Sequence, residues 1–317
     1  MATTVDFTDL NYCGEEGNKI FAKDVYELPL YDQITLMDGV KSKRKIYSGE
    51  LGDLWKEYTC QFEPTGEVKL SEDYVEVTPI DSAAEICFDE FWDNYLVEST
   101  RISLQGQIPA PFSEWFFDRY RKQLSKEYME IFWQGDTSYA GATKTYLKIV
   151  DGIEKKLATA LTGTSSLISG SAFTVNNILA QVEAAIMASI EVAAANEVDS
   201  ENFKVMLNHS DARILEVALG KDCSCNNVNQ IFNNYSRENG KIYIMGYEVL
   251  ETLQSRNTII VGPAKNLVLA FDTFDAKTSY MLKDMRESTL DNSFRVRALT
   301  NIGTGILYPD LFVMSKP

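Results

Sequence analysis

The chemistry this chain could perform is narrow. Its one histidine, His209, stands in Asn208-His209-Ser210. A lone imidazole acts as a general base only beside a nucleophile or an orienting partner, and its place between a strand-like and a helix-like run reads as a turn or capping residue. Cys223-Ser224-Cys225 has no second cysteine pair and no nearby histidine, which is not the spacing of a zinc site. Cys13, Cys60 and Cys87 are scattered, so the five cysteines read as reduced structural thiols without a disulfide framework. Carboxylates remain. Asp89, Glu90 and Asp93 would put two acids on one helical face at i and i+4, and Asp272 and Asp275 lie near Phe271 and Phe274. Such pairs could hold a divalent cation or share acid–base work, but no further ligand accompanies them. In a chain with 46 Asp and Glu they arise from composition alone. A hydrolase built on Asp89, Asp93 or Asp272 is therefore the weakest reading. No glycine-rich phosphate loop, dinucleotide fingerprint, HExxH helix or nucleophile elbow occurs. No catalytic, metal-ligating or cofactor-binding residue is assigned, and no cofactor is expected.

Composition sets the frame for any other role. The 317 residues carry 30 Lys and Arg against 46 Asp and Glu, a formal charge of −16, with 45% hydrophobic residues. That length suits about two domains of roughly 150 residues, and the apolar content excludes wholesale disorder. A protein this acidic does not coat phosphate by charge attraction, which argues against a DNA reader. It does not prevent the protein from standing beside DNA, because repulsion between separated exposed charges fades beyond about 8 Å at physiological salt. No run of about 18 apolar residues occurs, so no membrane span is expected. The first residues, Met1 to Asp6, lack the basic start and apolar core of a secretory signal.

The elements that would carry a function follow from periodicity. The first ~50 residues read as irregular, with Lys41-Ser42-Lys43-Arg44-Lys45 as a solvated linker face. Tyr58–Phe62 alternates, Pro64-Thr65-Gly66 is a turn, and Asp73–Thr78 is β-rich up to Pro79, with Ala84–Phe88 a further strand. A two-stranded ribbon of this kind is marginal alone, so either it lies on its own domain or another chain must cover it. Phe62, Pro64, Gly66, Val68, Tyr74, Val75 and Val77 are its candidate inter-subunit contacts. Removing Pro64–Val77 is expected to leave the monomer core folded. A helix follows, with Ser113 as N-cap and Gly135 at its end, and with Phe116, Tyr120, Leu124, Tyr128 and Ile131 or Phe132 as a core-facing stripe. After a Gly/Ser/Thr-rich stretch, Val175, Ile178, Leu179, Val182, Ile186 and Ile190 form the apolar face of a second helix. Lys204–Asn208 reads as a buried strand, and Ser210 or Asp211 would cap a helix reaching Gly220. The last ~75 residues are strand-dominated, with Gly262-Pro263 closing one strand and Gly303 and Gly305 breaking the chain. The order indicates an α+β fold.

Several of these stretches, in this order, resemble the major capsid proteins of tailed bacteriophages, which have the Hong Kong 97 fold. Cys60–Gly66 with Glu85–Cys87 looks like the two sides of the family's extended loop. Ser113 through Trp133-Gln134-Gly135-Asp136-Thr137 is similar to its long spine helix and the following turn. Tyr146–Ile153 resembles the segment leading into the apical domain, and Val205–Asn208 through Arg213 the strand-to-helix corner. Ile259–Leu267 with Ala270-Phe271-Asp272 is similar to the return toward the peripheral domain. The resemblance covers residues 45 to 317.

The resemblance implies an N-terminal arm (1–50), an extended β-hairpin loop (51–90), a peripheral domain holding the spine helix (91–165 and 275–317) and an axial, or apical, domain with a mixed sheet (166–274). It implies a structural protein that self-assembles into hexamers and pentamers of an icosahedral shell around double-stranded DNA, without enzymatic activity. Expected partners are further copies of itself, portal and decoration proteins, and packaged DNA without sequence-specific binding; no membrane is expected. The capsid-like pattern begins near residue 45 with no long charged helix before it, so a separate scaffold or none is expected, and no cleavage of this chain. The implied location is the virion, after assembly in the host cytoplasm. An encapsulin-like cellular compartment, which shares the fold but encloses a protein cargo, is the alternative.

Overall fold

The computed structural model describes residues 33–51, 68–87, 112–222, 235–238, 241–272, 280–285 and 293–317. Four α-helices are present among them: α1 (Phe112–Gln134), α2 (Ile153–Ala160), α3 (Ile178–Ala195) and α4 (His209–Asp222). The 23 residues of α1 make a rod of roughly 35 Å. It is described from Phe112, which puts Ser113 inside the helix rather than at its cap. The cap of α4 is likewise displaced from expectation. The Asn208 side-chain oxygen accepts the Ser210 amide at 2.9 Å, so Asn208 does the work expected of Ser210 or Asp211.

A seven-stranded mixed sheet runs in the order β5 (Leu167–Ser169), β14 (Val313–Lys316), β10 (Ile259–Pro263), β6 (Phe203–Asn208), β9 (Tyr247–Thr252), β8 (Lys241–Ile244), β7 (Tyr235–Glu238). Its central strands are buried on both faces, which is why they read as nearly continuous apolar runs. The strand period of two sorts their side chains. Met206, Ile260 and Met314 join a core with Tyr128, Phe132 and Trp133 of α1 and Ile153 and Leu157 of α2. Val205, Leu207, Ile259 and Val261 join a second core with Ile178, Val182 and Ile186 of α3 and Leu215 of α4. Gly262 and Pro263 are the last two residues of β10, still paired opposite Lys204 and Phe203, and the strand ends there. The strand at 313–316, which the sequence reading grouped with the peripheral unit, pairs with β10 and β5 in this sheet. By length and composition α3 could cross a membrane. However, Ile178, Val182, Ala185 and Ile186 lie at its inner face with almost no exposure.

A second sheet is organised by one long strand, β13 (Ser293–Ile306). Ten of its residues pair antiparallel with β4 (Thr78–Cys87), and five of those also pair with β12 (Tyr280–Asp284). The following four pair with β11 (Leu267–Ala270), which in turn runs parallel to β1 (Thr35–Met37). Two expectations are corrected here. Pro79 does not stop a strand: it lies in β4 opposite Asn301, and among the described residues β4 pairs with β13 alone, so proline is tolerated on that edge. Gly303 and Gly305 do not break the chain either, since both lie inside β13.

A compact corner fixes the end of α1 to the start of α2. The Gly152 amide donates to the Gly135 carbonyl at 2.7 Å. A Cβ on Gly152 would come within 2.6 Å of the Gly135 nitrogen, so this crossing needs glycine at that position. Lys155 Nζ then bridges Asp136 at 2.7 Å and Asp151 at 2.8 Å. Asp151 also accepts the Thr137 amide at 2.8 Å. The Lys155 ammonium, helped by the Ser138 hydroxyl and amide, holds the Asp136 carboxyl down at about 2. At Asp151 partial burial pushes upward, but Lys155 and Thr137 outweigh it and the net direction is down.

A carboxyl depressed in the folded state stabilises it above the unfolded pKa of about 4, and that contribution disappears as pH falls through the folded value. Lys155→Met should therefore lower the unfolding midpoint near neutral pH. Its deficit against the parent protein should shrink as pH drops from about 4 toward about 2. Melting curves across that window check this; a constant deficit would show that the bridge carries no linked stability.

Candidate functional site

Among the described residues no group of three or more His, Cys, Asp or Glu could hold a metal ion, and the candidate contacts that are described lie on or beside a third sheet of two strands. β2 (Lys43–Leu51) and β3 (Val68–Glu76), nine residues each, pair antiparallel along their whole length, from Lys43 opposite Glu76 to Leu51 opposite Val68. At about 3.4 Å per residue the ribbon is roughly 30 Å long. No third strand joins it among the described residues. The ribbon's first strand is therefore Lys43–Leu51, which the sequence reading treated as irregular and as a solvated linker. The run of four cations in five residues masked a strand whose only early apolar marker is Ile46. β1 was missed for a similar reason, being only three residues long.

Residues directly opposite one another in an antiparallel pair share a face. Arg44 stands opposite Val75 on one face, and Lys45 opposite Tyr74 on the other. On the first face Val75 and Ile46 are buried with Val40, Val77, Val268 and Ala270 in a small core of their own. This is where the ribbon is rooted, and the two glycines of β13 are the reason it fits. A side chain on Gly303 would come within 2.6 Å of the Glu76 carbonyl oxygen and 3.2 Å of Val75 Cγ1. A Cβ on Gly305 would also strike Val75, with Ile46 Cδ1 3.7 Å away. The Val77 amide closes the root by donating to the Ser42 carbonyl at 2.8 Å. Farther along, the Gly49 amide donates to the Tyr308 hydroxyl at 3.3 Å.

The other face is polar and open. Lys43 Nζ lies 4.3 Å from the centre of the Tyr74 ring and Lys45 Nζ 5.7 Å from it. Lys45 also pairs with Glu72 at 2.6 Å. Tyr74 keeps 43% of its surface exposed. Past Val77 the chain continues into β4, which cross-strand ion pairs clamp to β13. Arg297 Nε lies 3.1 Å from both Asp81 oxygens, and Arg295 lies 3.3 Å from Glu85. The Asp81 carboxylate pushes the Arg297 pKa further up, so this fork stays charged. Tyr120 of α1 meets Ser82 of β4 at 2.9 Å, and burial pushes its phenol up. Leu124, half-buried, helps line a cleft of about 120 Å³ between α1 and these strands.

The candidate contacts thus separate. Val75 and Val77 belong to this chain's own core, so a deletion running to Val77 would cut into the fold. Tyr74 is the one whose described side chain faces outward. Val68 is placed by backbone only, at the far end of the ladder. Phe62, Pro64 and Gly66 lie outside the described residues, as do Tyr58–Phe62, Asp89, Glu90, Asp93, Phe274, Asp275 and Cys13, Cys60, Cys223 and Cys225. His209 opens α4, with its Nδ1 2.5 Å from Glu251. Asp272 is half-buried just after β11.

No protein-family model and no curated protein matches the sequence. Solved structures do. A chain of the satellite phage P4 procapsid, a particle that includes the size determination (Sid) protein, matches with a TM-score of 0.57 at 9% identity, over 95% of this chain and 90% of that one. The capsid of an empty GTA particle matches at 0.52 and 12% identity, over 90% and 88%. The capsid of cyanophage P-SCSP1u matches at 0.50 and 10% identity, over 99% and 91%. The fold is that of capsid subunits. It extends over nearly the whole length of both partners in each comparison, so the capsid-like architecture implied by the sequence resemblance holds. At such low identity no single side chain is carried across.

The rooted ribbon gives a direct test of the glycine argument. Gly303→Ala should destabilise the chain by about 1–3 kcal/mol, because the backbone of β3 must move away from β13. Gly220→Ala, on α4 where a Cβ meets nothing within 4 Å, should be neutral or stabilising. Chemical denaturation of both variants checks the contrast; equal effects would remove the close approach as the cause.

Proposed function

We propose that this protein is a shell-forming major capsid protein: copies assemble into hexamers and pentamers that close an icosahedral shell around the double-stranded DNA of a tailed phage. The observation that carries the reading is the ribbon. One end is seated in the chain's own core, while nine paired residues per strand extend as a two-stranded sheet that no third strand completes among the described residues. Such a sheet is marginal by itself, and a neighbouring copy offers it apolar and main-chain partners. Head-to-tail contacts of this kind close into rings when the rotation between copies is right.

In this reading β1, β4 and β11–β13 with α1 form the peripheral part, and the seven-stranded sheet with α3 and α4 the axial part. The role is structural and needs no cofactor. Packaged DNA is enclosed without sequence-specific contact, consistent with a charge of −16. Scaffold, portal and decoration proteins would be separate chains. The site of action would be the virion, with assembly in the host cytoplasm.

Electron microscopy of the purified chain should show rings or shells, and particles from infected cells should contain DNA. A monodisperse monomer at high concentration would sink the reading, and a protein cargo in place of DNA would favour a cellular compartment. Replacing residues 50–69 with an Asn-Gly turn leaves Lys43–Gly49 paired with Leu70–Glu76. The unassembled variant should unfold within about 1 kcal/mol of the parent, because the distal ribbon contributes little alone. Its particles should form poorly or melt early. Normal shells from this variant would show that the ribbon is no clasp.

A further inference from the structure

The described residues include two Asp-Gly steps, Asp38-Gly39 and Asp151-Gly152, and only the second is held in place. Glycine after aspartate leaves the following amide nitrogen open to close a succinimide ring on the aspartate Cγ. That step requires the nitrogen and Cγ in contact and a backbone free to bend. At Asp151 both are withheld. The Gly152 amide donates to the Gly135 carbonyl at 2.7 Å. Asp151 Oδ1 is taken by the Thr137 amide and by Lys155 Nζ, each at 2.8 Å. At Asp38 the arrangement is the reverse. Asp38 and Gly39 are both exposed. The Gly39 amide donates to Oδ1 of Asp38 itself at 2.6 Å, which sets its nitrogen beside the carbon it would attack. Nothing lies within 4 Å of where a Gly39 Cβ would stand, so no neighbour resists the bend. A Cβ on Gly152 would strike the backbone of Gly135, Trp133 and Phe132.

We propose that Asp38-Gly39 is a self-modification site: it closes to a succinimide, reopens in part as isoaspartate, and so loosens the root of the ribbon with age. The Gly39 nitrogen forms a bond to Cγ of the protonated Asp38 carboxyl, and the carboxyl hydroxyl and the amide proton leave together as water. Water then adds back at one of the ring carbonyls. At Cγ it restores aspartate. At the main-chain carbonyl it gives isoaspartate, with the chain now running through Cβ and Cγ and a free carboxylate on Cα. No electron changes hands, and water is the sole co-reactant. The consequence follows from the anchors on either side. The Phe271 amide donates to the Met37 carbonyl at 2.9 Å, and the Val40 amide donates to the Phe271 carbonyl at 3.2 Å. Asp38 and Gly39 alone span these bonds, so an added main-chain methylene lengthens a span fitted to the ordinary chain. Val40, at the far anchor, is buried with Ile46, Val75 and Val77, the residues that seat the ribbon. The inference stands whether or not the chain assembles.

The test holds the purified, folded chain in heavy-oxygen water at neutral pH for several weeks, then digests it for chromatography and mass spectrometry. Each passage through the succinimide leaves one heavy oxygen on the aspartate, and the isoaspartyl peptide elutes apart from its parent. Residue 38 should gain label and isomer at least about tenfold faster than residue 151, because Asp151 must first open locally. In urea the two rates should converge. Equal rates in the folded chain, or no label at residue 38, overturn the proposal. A second measurement reads the ribbon root. The aged parent should melt earlier than the fresh parent, whereas Asp38→Glu, which keeps the charge but must close a larger and slower ring, should melt alike fresh and aged. Asn239-Gly240 is common to both chains, so changes there cancel. An unchanged midpoint in parent protein that has accumulated isoaspartate at residue 38 overturns the link to the root. If Asp38→Glu misfolds by circular dichroism, Asp38→Ser, which has no carboxyl to close the ring, replaces it, and equal loss on ageing in that chain also overturns the link.

Discussion

Two glycines on one strand constrain the rest of this molecule. β13 is shared by β4, β12 and β11, and it ends beside α2, where Lys156 Nζ reaches the Thr304 carbonyl at 2.5 Å and Thr304 Oγ1 reaches the Asp151 carbonyl at 2.6 Å. Between these attachments Gly303 and Gly305 present no side chains, and the backbone of β3 crosses in the space they leave. Glycine costs a strand some stability through entropy and lost packing. Here that cost is offset by the burial of Val75, Val77 and Ile46, which anchors a ribbon that could not hold itself in place.

A second set of polar ties holds the seven-stranded sheet against two of the helices. The loop between β9 and β10 receives support from several directions. The buried Glu154 of α2 accepts the Ser255 amide, and the fully buried Asp211 of α4 accepts the Asn257 amide at 2.7 Å. Gln254, also fully buried, donates to the Met206 and Thr258 carbonyls at 3.0 and 2.6 Å. Burial pushes the Glu154 carboxyl up, and the Ser255 amide offsets part of that. Removing one partner of such a network leaves a buried polar group unpaired, which costs more than the bond itself contributes. The loop is short, but it connects α2, α4 and β6 into one frame.

Elements with a clean period were legible in the sequence. α1, α3 and α4 emerge from their apolar spacing, and β6, β8, β10 and β11 from compact apolar runs. The α+β class followed from their order. α2 was missed although its signature is present: Gly152 before the helix, then Ile153, Leu157 and Leu161 at four-residue intervals, all buried. Its eight residues gave too short a window beside the longer patterns. β2 was missed because Lys43 and Lys45 line its open face while Arg44 precedes Ile46 on the other, so the strand carries almost no hydrophobic alternation. The glycines of β13 were misread because sequence shows a missing side chain but not the backbone that fills its place.

The site was legible only in part, and the reason is the parity of a strand. Successive residues face opposite ways, so Tyr74 and Val75 serve different masters although they are neighbours in sequence. Val75 and Val77 read as contacts because they are apolar, but their face belongs to the chain's own core. A one-residue slip of β3 against β2 would bring Tyr74 inward and expose the valines. The slip is blocked at the root, where Gly303 admits the Glu76 carbonyl and the Val77 amide is committed to Ser42. The register that seats the valines is therefore the register that presents Tyr74 between two lysines. The exposed face of the ribbon root is set by contacts made within this chain, through Val75, Val77 and Ile46 on the face behind it.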